Sequence, residues 1–285
     1  MNKAERIALG AAWMGLTIIS FATTAVAIRE MAGRFEVMQM LFMRSIVGII
    51  VLAPLVIHHR AWRTGRPLLQ VGRNLAHFFG QYCWTLGVVL LPLAEVFALE
   101  FTTPIFVALL AAPLLGEPLT RGRLVAVFGG FIGVLIVLRP GLAVIDPAAF
   151  IVLAAACGFA VSVITTKKLT LLDGPLTILI YMCVIQLPIG GLLSLPDWRM
   201  PETADLHWII LFGIASLTAH LGMVKAFTYG DASVMMPIDF LRLPAITIVG
   251  YLLYDEALVP WVLLGAGVIF AANYYNLNLE RRGNT

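Results

Sequence analysis

Charged residues are scarce in this chain. Asp, Glu, Lys and Arg make up 12% of its 285 residues, whereas they account for about 25% of a typical soluble domain. Hydrophobic residues make up 60%, and the mean hydropathy is +0.94. This composition excludes an ordinary soluble domain and predicts an integral membrane protein in contact with the lipid bilayer. The length leaves room for about ten helical spans of roughly 20 residues each.

Cysteine and the common catalytic motifs are also scarce. The three cysteines (Cys83, Cys157 and Cys183) all lie in apolar runs, so we expect neither a disulfide framework nor a metal site. The chain has no H-E-x-x-H, G-x-S-x-G or G-x-x-x-x-G-K-[ST] motif, which argues against a membrane-embedded enzyme and against ATP-driven transport. It also lacks the repeated filter or charged ring of a channel. The net charge of +3 reflects basic loops, and we expect no nucleic-acid partner and no cofactor.

The apolar runs are continuous rather than alternating, which favours helices over a transmembrane barrel. The first run ends in Ala25-Val26-Ala27, which resembles a signal-peptide cleavage site, but the run is long for a signal peptide and is interpreted as a membrane span. The sequence predicts an all-α membrane protein of ten helices, at residues 7–28, 37–57, 72–91, 93–115, 122–139, 147–168, 176–195, 206–229, 232–254 and 258–279.

Basic residues are unevenly distributed between the two sides of these predicted spans. With a cytoplasmic amino terminus, the cytoplasmic side holds Lys3, Arg6, Arg60, Arg63, Arg66, Arg73, Arg121, Arg123, Lys167, Lys168, Lys225, Arg281 and Arg282. The other side holds Arg29, Arg34, Arg139 and Arg199. Cytoplasmic loops of membrane proteins carry the excess of Lys and Arg. Both termini are therefore predicted to be cytoplasmic.

Two apolar stretches share one pattern of acidic residues. Residues 93–119 contain Glu100 and end near Glu117, and residues 232–258 contain Asp239 and end near Glu256, at the same spacing. A proline follows each inner acid, at Pro104 and Pro244. The pattern predicts two repeats, residues 1–139 and 147–279, around a central cavity. Five spans per half is an odd number, so the second repeat is expected to be inverted, as in many secondary transporters.

These two halves resemble the EamA-type family of the drug/metabolite transporter superfamily. The resemblance rests on the repeated endings from Pro104 to Leu119 and from Pro244 to Leu258, each followed by a glycine-rich helix (GGFIGVLIVLRPG and GAGVIFAANYYN). It covers nearly the whole chain. It implies ten helices in inverted repeats and alternating access to a central cavity, and it leaves the cargo open among amino acids, purines, riboflavin, sugars and nucleotide sugars.

Polar residues within the predicted spans are candidates for substrate contact. Helix 3 places polar and aromatic side chains on one face, and helices 1 and 8 have similar stripes. The proposed substrate-binding residues are Trp13, His77, Phe78, Gln81, Tyr82, Glu100, His220 and Asp239. The alternative is that these side chains bond to one another, or to their own helix, at contacts between helices. Phe78 and Tyr82 are one turn apart, so both could stack on a flat substrate.

Four charges within spans are assigned to coupling or to structure: Arg44, Glu100, Asp239 and Arg242. Glu100 is the expected distant partner of Arg44, while Asp239 and Arg242 are three residues apart and could pair locally. Glu100 could instead carry a coupling proton or contact a substrate amine. Glu117 and Glu256 are interpreted mainly as anchors at helix ends, with a gating role as the alternative.

The sequence as a whole predicts a secondary transporter of small metabolites in a bacterial inner membrane. The first hypothesis for its cargo is export of neutral or aromatic amino acids, as in the aromatic amino-acid exporter branch of the family. The alternative is import or exchange of riboflavin, a purine or S-adenosylmethionine. Small-residue pairs at Gly129/Gly133 and Gly267/Ala271 predict close helix packing or a homodimer face.

Overall fold

A computed structural model describes residues 3–115, 121–141, 145–170, 172–229, 235 and 238–283. The expectation for Glu117 lies outside these residues. The described elements are helices, and their bounds are α1 Lys3–Met31, α2 Val37–His59, α3 Pro67–Leu90, α4 Leu93–Glu100, α5 Thr103–Leu115, α6 Arg121–Leu138, α7 Ala148–Leu169, α8 Pro175–Ser194, a 3₁₀ turn Thr203–Asp205, α9 Leu206–Tyr229, α10 Arg242–Tyr254 and α11 Pro260–Gly283.

Eight helical segments within the described residues are long and apolar enough to cross a bilayer. The chain is therefore a multi-pass, all-helical membrane protein. Helices α3 and α10 are not among these eight segments, so the expectation of ten spans stays a prediction.

Proline marks several helix starts: Pro67, Pro175 and Pro260 each occupy the first helical position, where the missing N–H would have no partner within the helix.

The predicted continuous helix 93–115 is wrong in one respect, because it breaks at residues 101–102 into α4 and α5. Pro104 lies in the first turn of α5 and cannot donate a backbone hydrogen bond to the preceding turn. Hydroxyl groups cap the break: Thr102 donates to the Leu99 carbonyl (2.6 Å) and Thr103 donates to the Glu100 carbonyl (2.8 Å). Glu100 therefore lies at the end of a helix rather than within one.

The second half has a corresponding break. Residues 238–240 are helical, a turn follows at residue 241, and α10 begins at Arg242 with Pro244 in its first turn. Asp239 and Arg242 therefore lie on either side of this turn. The two proline-containing stretches recognised in the sequence both form interrupted helices, and α4 packs against α10. Interrupted helices of this kind line ligand sites in many transporters.

Helix pairing relates the two halves of the chain. The most extensive pairs are α1 with α9, α6 with α11, α3 with α7 and α2 with α8. The helices of each half can be numbered from one to five, with α4 and α5 together as the fourth element of the first half. The first element of each half then packs against the third element of the other half. The second, fourth and fifth elements each pack against their own counterparts. The pattern is unchanged when the halves are exchanged, as expected for two structural repeats.

Close packing within these pairs depends on glycine. A Cβ added at Gly158 of α7 would lie 3.0 Å from the backbone of Gly80 in α3, and one added at Gly133 of α6 would lie 2.7 Å from the Gly265 carbonyl oxygen of α11. Gly129 and Gly133 therefore lie in a contact within the chain. Gly267 has no neighbouring atom within 4 Å of such a Cβ, so the second small-residue pair does not form the same contact.

Polar contacts mark the two ends of the helical bundle. At one end, Arg34 pairs with Glu202 and Asp205, and Arg199 donates to the Gly33 carbonyl. At the other end, Asp173 accepts hydrogen bonds from Thr64, from Gln70 and from the Gly65 backbone. Burial acts to raise the pKa of Asp173, but these three hydrogen bonds outweigh it and lower the pKa.

Candidate functional site

Two acids and one arginine meet at the two helix breaks, and we call Glu100, Asp239 and Arg242 the acidic triad. Arg242 Nη1 lies 3.1 Å from Glu100 Oε1, and Arg242 Nη2 lies 3.6 Å from Asp239 Oδ2. Trp84 Nε1 donates to the second Glu100 oxygen at 2.8 Å. Arg242 and Asp239 are buried, and the Glu100 side chain is 13% exposed. The local pairing of Asp239 with Arg242 is confirmed.

Aromatic rings surround the guanidinium of the acidic triad. The Arg242 Cζ lies 4.5 Å from the ring centre of Phe21, 4.9 Å from that of Phe101 and 5.4 Å from that of Phe97. These distances are within the range of cation–π contacts. The site therefore combines charge with aromatic surfaces, and it receives side chains from both halves of the chain.

The acidic triad is only partly satisfied within the described residues. With both acids ionised, two carboxylates face one guanidinium, which leaves one net negative charge. Asp239 Oδ1 and Arg242 Nε are buried without a hydrogen-bond partner among the described residues. Burying charged groups is costly unless they are paired. The arrangement is therefore suited to a positively charged group presented by a ligand.

Arg44 lies in a second buried cluster, and the expected pairing of Arg44 with Glu100 is wrong. Arg44 Nη2 donates to Gln186 Oε1 at 2.6 Å, and Arg44 Nη1 donates to the Ser216 hydroxyl at 3.5 Å. The reason is topological, because α2 packs against α8 and α9, while Glu100 ends α4 beside α10. Neither of these two hydrogen-bond partners of Arg44 is charged.

Arg73 belongs to the same cluster, although the sequence placed it among the cytoplasmic loop cations. The structure buries it in α3, where Arg73 Nε donates to the Thr166 hydroxyl (3.0 Å) and Nη1 donates to Asn74 Oδ1 (2.8 Å). Gln186 Nε2 is 2.9 Å from His77 Nδ1 and 3.4 Å from the Asn74 carbonyl. We call this set the arginine cluster; its members are Arg44, Arg73, Asn74, His77, Gln186 and Ser216.

Phe21 and His220 connect the two sites. Phe21 stacks on Arg242 on one side, and its ring centre is 6.1 Å from that of His220. The His220 ring is in turn 5.7 Å from the His77 ring, and His220 Nδ1 lies 2.8 Å from the Ser216 carbonyl oxygen. A continuous path of aromatic and polar side chains therefore runs from the acidic triad to the arginine cluster.

The remaining predicted site residues are less central. Phe78 is buried in the main apolar core, Tyr82 packs against that core, and Gln81 is buried in α3. Trp13 packs beside Met14 at the contact of α1 with α9. On α1, Thr17 and Thr24 donate to carbonyl groups of their own helix, as the alternative reading of that stripe anticipated.

Several residues of the site were missed from the sequence. Trp84 and Phe21 were overlooked because aromatic residues are common in apolar spans, and Arg73 because it lies near the start of a span. Gln186 had a usable signal, since it is an isolated amide in the otherwise apolar α8. Among the residues that the structure describes, no group of three or more His, Cys, Asp or Glu side chains is suited to a metal ion.

A third polar site lies where loops meet at one end of the bundle, and we call it the Arg29–Glu256 lock. Arg29 Nη2 lies 2.8 Å from Glu256 Oε1 and also donates to the Leu91 carbonyl. The Leu93 backbone N–H donates to Glu256 Oε2 at 2.8 Å. Burial raises the pKa of Glu256, although the Leu93 N–H and Arg29 act to lower it. The lock joins the end of α1, the start of α4 and the segment before α11.

The helical fold, the two interrupted helices and the buried charges are typical of a membrane transporter. The profile of the EamA-like transporter family matches the chain twice, over residues 8–139 and 146–277. The chain belongs to this family, which confirms the family resemblance and the double occurrence of its domain. The exact limits predicted for the two repeats stay predictions. Transporters of this family are not enzymes.

Similar proteins include carriers of two kinds of metabolite. The S-adenosylmethionine uptake transporter of Rickettsia prowazekii (strain Madrid E) is 27% identical over 285 residues, covering 99% of this chain and 97% of the relative. A riboflavin transporter of Rhizobium johnstonii is 29% identical over 283 residues, covering 98% and 94%. A crystal structure of a protein with 15% sequence identity aligns with a TM-score of 0.65. The alignment covers 97% of this chain and 99% of the crystallised chain, and it supports the fold alone.

Proposed function

We propose that this protein is a secondary carrier that takes up S-adenosylmethionine or a similar positively charged adenosine derivative. The observation that carries the proposal is that two carboxyl groups of the acidic triad face a single guanidinium within a shell of aromatic rings. S-adenosylmethionine has a sulfonium, an ammonium and a flat adenine. A cation can neutralise the triad, and aromatic rings attract cations and stack on bases. The names of the Rickettsia relatives support the same cargo.

Riboflavin is the second candidate, because transporters of that name match nearly as much of the chain. A flavin could stack on Phe21 and Phe101, but it is neutral and would leave the charge of the acidic triad uncompensated. The two relatives described above are named for S-adenosylmethionine and riboflavin rather than for aromatic amino acids. Uptake therefore replaces our first hypothesis of amino-acid export.

The proposed topology has ten spans in two inverted repeats, with both termini in the cytoplasm of a bacterial inner membrane. The symmetric helix pairing supports two related halves. The bacterial relatives support the membrane. Arg29, Arg34 and Arg199, which the basic-residue count places outside, lie at one end of the bundle, where they contact the loops between helices.

The proposal is tested with purified protein in liposomes. Uptake of radiolabelled S-adenosylmethionine should be saturable and should be accelerated by unlabelled S-adenosylmethionine on the opposite side. Excess riboflavin should compete weakly. Saturable riboflavin counterflow without S-adenosylmethionine counterflow would favour the second candidate instead. Counterflow of phenylalanine with neither of these would return the function to amino-acid transport.

A further inference from the structure

The arginine cluster contains two buried cations that pair with no anion in the part of the chain that the structure describes. Arg44 is 3% exposed and Arg73 is 5% exposed. Their hydrogen-bond partners are the side chains of Gln186, Ser216, Asn74 and Thr166, all of which are neutral. No carboxylate among the residues that the structure describes forms an ion pair with either guanidinium. Among the described residues, the two positive charges are therefore buried together with neutral acceptors alone.

Such an arrangement is unfavourable unless an anion joins it. Burying a charge is costly unless it is paired and hydrogen-bonded, and hydrogen bonds to neutral acceptors leave two neighbouring guanidinium groups without a charge of opposite sign. Arginine presents five N–H donors in a planar fork that matches the two oxygens of a carboxylate. Arg44 uses two of its donors on protein side chains, so donors remain for a ligand.

We propose that Arg44 and Arg73 form the subsite that receives the carboxylate of the transported molecule. This inference rests on the proposed function, which supplies a cargo with an amino-acid moiety. It assigns the two ends of that cargo to two sites of opposite charge. The acidic triad receives the cationic end, and the arginine cluster receives the carboxylate. Phe21 and His220 lie between them and contact the middle of the cargo. The subsite favours carriage of the intact amino-acid moiety over the bare nucleoside.

The first test fills the subsite from within the protein. Gln186 Oε1 already lies 2.6 Å from Arg44 Nη2, so Gln186→Glu places a carboxylate at the guanidinium with almost no change of shape. We expect this variant to be more thermally stable than wild type without ligand, because the ion pair gained at Arg44 outweighs the loss of the Gln186 Nε2 contacts with His77 Nδ1 and the Asn74 carbonyl. We also expect it to bind S-adenosylmethionine more weakly than wild type does. A stabilised variant that still transports S-adenosylmethionine at the wild-type rate would overturn the proposal.

The second test removes the carboxylate from the ligand. Decarboxylated S-adenosylmethionine retains the adenosine, the sulfonium and the amine. Arg44→Met and Gln186→Glu should weaken S-adenosylmethionine binding about ten- to hundredfold, as expected for loss of charge-assisted hydrogen bonds. They should change binding of the decarboxylated compound less than about threefold. Equal weakening of both ligands would mean that Arg44 only supports the fold. The control is Arg63→Gln, which removes an exposed arginine.

A third measurement separates failure of this inference from failure of the proposed function. If wild type binds neither S-adenosylmethionine nor its decarboxylated analogue, the proposed cargo is wrong, and sulfate then probes the subsite alone. Sulfate stabilises most proteins by exclusion from their surface, so the comparison is between variants at matched ionic strength. Sulfate should raise the melting temperature of wild type and Arg63→Gln more than that of Arg44→Met. An equal rise in all three would overturn the anion subsite.

Discussion

Arg242 makes the ionic contacts that hold the acidic triad together. Its two terminal nitrogens face different carboxylates, one from each half of the chain. The sequence identified all three charges because each interrupts an apolar run. It could not identify the pairing, since Glu100 and Arg242 are 142 residues apart and no local spacing relates them. Arg44 was the nearer cation along the chain, and the fold places it elsewhere.

Removing Arg242 should destabilise the protein strongly, and Glu100→Gln should offset part of that loss. Arg242→Gln leaves two like charges buried together, which costs about 3–5 kcal/mol. We expect the Glu100→Gln, Arg242→Gln pair to show a coupling energy of roughly 0.5–3 kcal/mol in a double-mutant cycle. Denaturant unfolding in detergent measures it.

The matched control for this cycle pairs Glu100→Gln with Arg44→Gln. Because Arg44 bonds to Gln186 and Ser216 instead, the effects of these two substitutions should add within about 0.5 kcal/mol. Coupling between Glu100 and Arg44 as large as that between Glu100 and Arg242 would contradict the structure.

Asp173 provides a residue-scale prediction outside the membrane spans. Its three hydrogen bonds lower its pKa below the usual 3.8, so the ionised carboxylate stabilises the fold above that pH. The contribution is lost as the pH falls through the lowered pKa. Asp173→Asn should therefore lower the melting temperature most at neutral pH, at a cost of about 1–3 kcal/mol. Melting curves from pH 7 to pH 3 should converge, and a constant difference would count against this account.

The helices themselves were largely predictable, because long apolar runs separated by basic or proline-containing loops specify them. The starts of α2, α4 and α9 agree with the sequence prediction to within a residue. The break after Glu100 was not predicted, although the sequence places Pro104 four residues after this acid. Hydropathy is averaged over a window of residues, so it does not resolve an interruption of two residues. The carbonyl groups beside this interruption accept hydrogen bonds from the side chains of Thr102, Thr103 and Asn273.

Contact between α6 and α11 should depend on Gly133. Valine at this position would press on Ile269 and on the Gly265 carbonyl, so the two helices would have to separate. Gly133→Val should destabilise the protein by about 1–3 kcal/mol, as overpacking does. Gly267→Val is the matched control, since no atom lies within 4 Å of its added Cβ, and its effect should stay within about 0.5 kcal/mol. A larger loss in the control would place the sensitive contact on the other face of α11.

At the scale of the whole molecule, the two halves meet through charges as well as through helix packing. The sequence predicted the duplication from paired acids and prolines, and the family profile confirms it. What the sequence could not predict is which polar residues of the two halves become neighbours. The path from Arg242 through Phe21 and His220 to Arg44 includes four helices, two from each half of the chain, so only the packed structure brings it together.

The Arg29–Glu256 lock joins the halves at one end of the bundle, and opening that end must expose Glu256 to water. Burial raises the pKa of Glu256 in the closed arrangement, so a proton binds more tightly there than when the carboxylate is exposed. By linkage, acidification from pH 7 towards pH 4.5 should therefore favour the closed arrangement. Glu256→Gln should remove this pH dependence, because the amide of glutamine does not take up a proton.

Cysteine labelling at the lock tests this sign. Leu91 is 2% exposed, whereas the adjacent Leu90 is 53% exposed, so Leu91→Cys reports opening and Leu90→Cys corrects for the pH dependence of thiol reactivity. Both are made in a background with the three native cysteines replaced by alanine. The ratio of labelling rates, Leu91→Cys over Leu90→Cys, should fall as the pH is lowered and should be independent of pH when Glu256→Gln is added. A ratio that rises on acidification would mean that the attraction of Arg29 outweighs the burial of Glu256, and that protonation opens the lock instead of closing it.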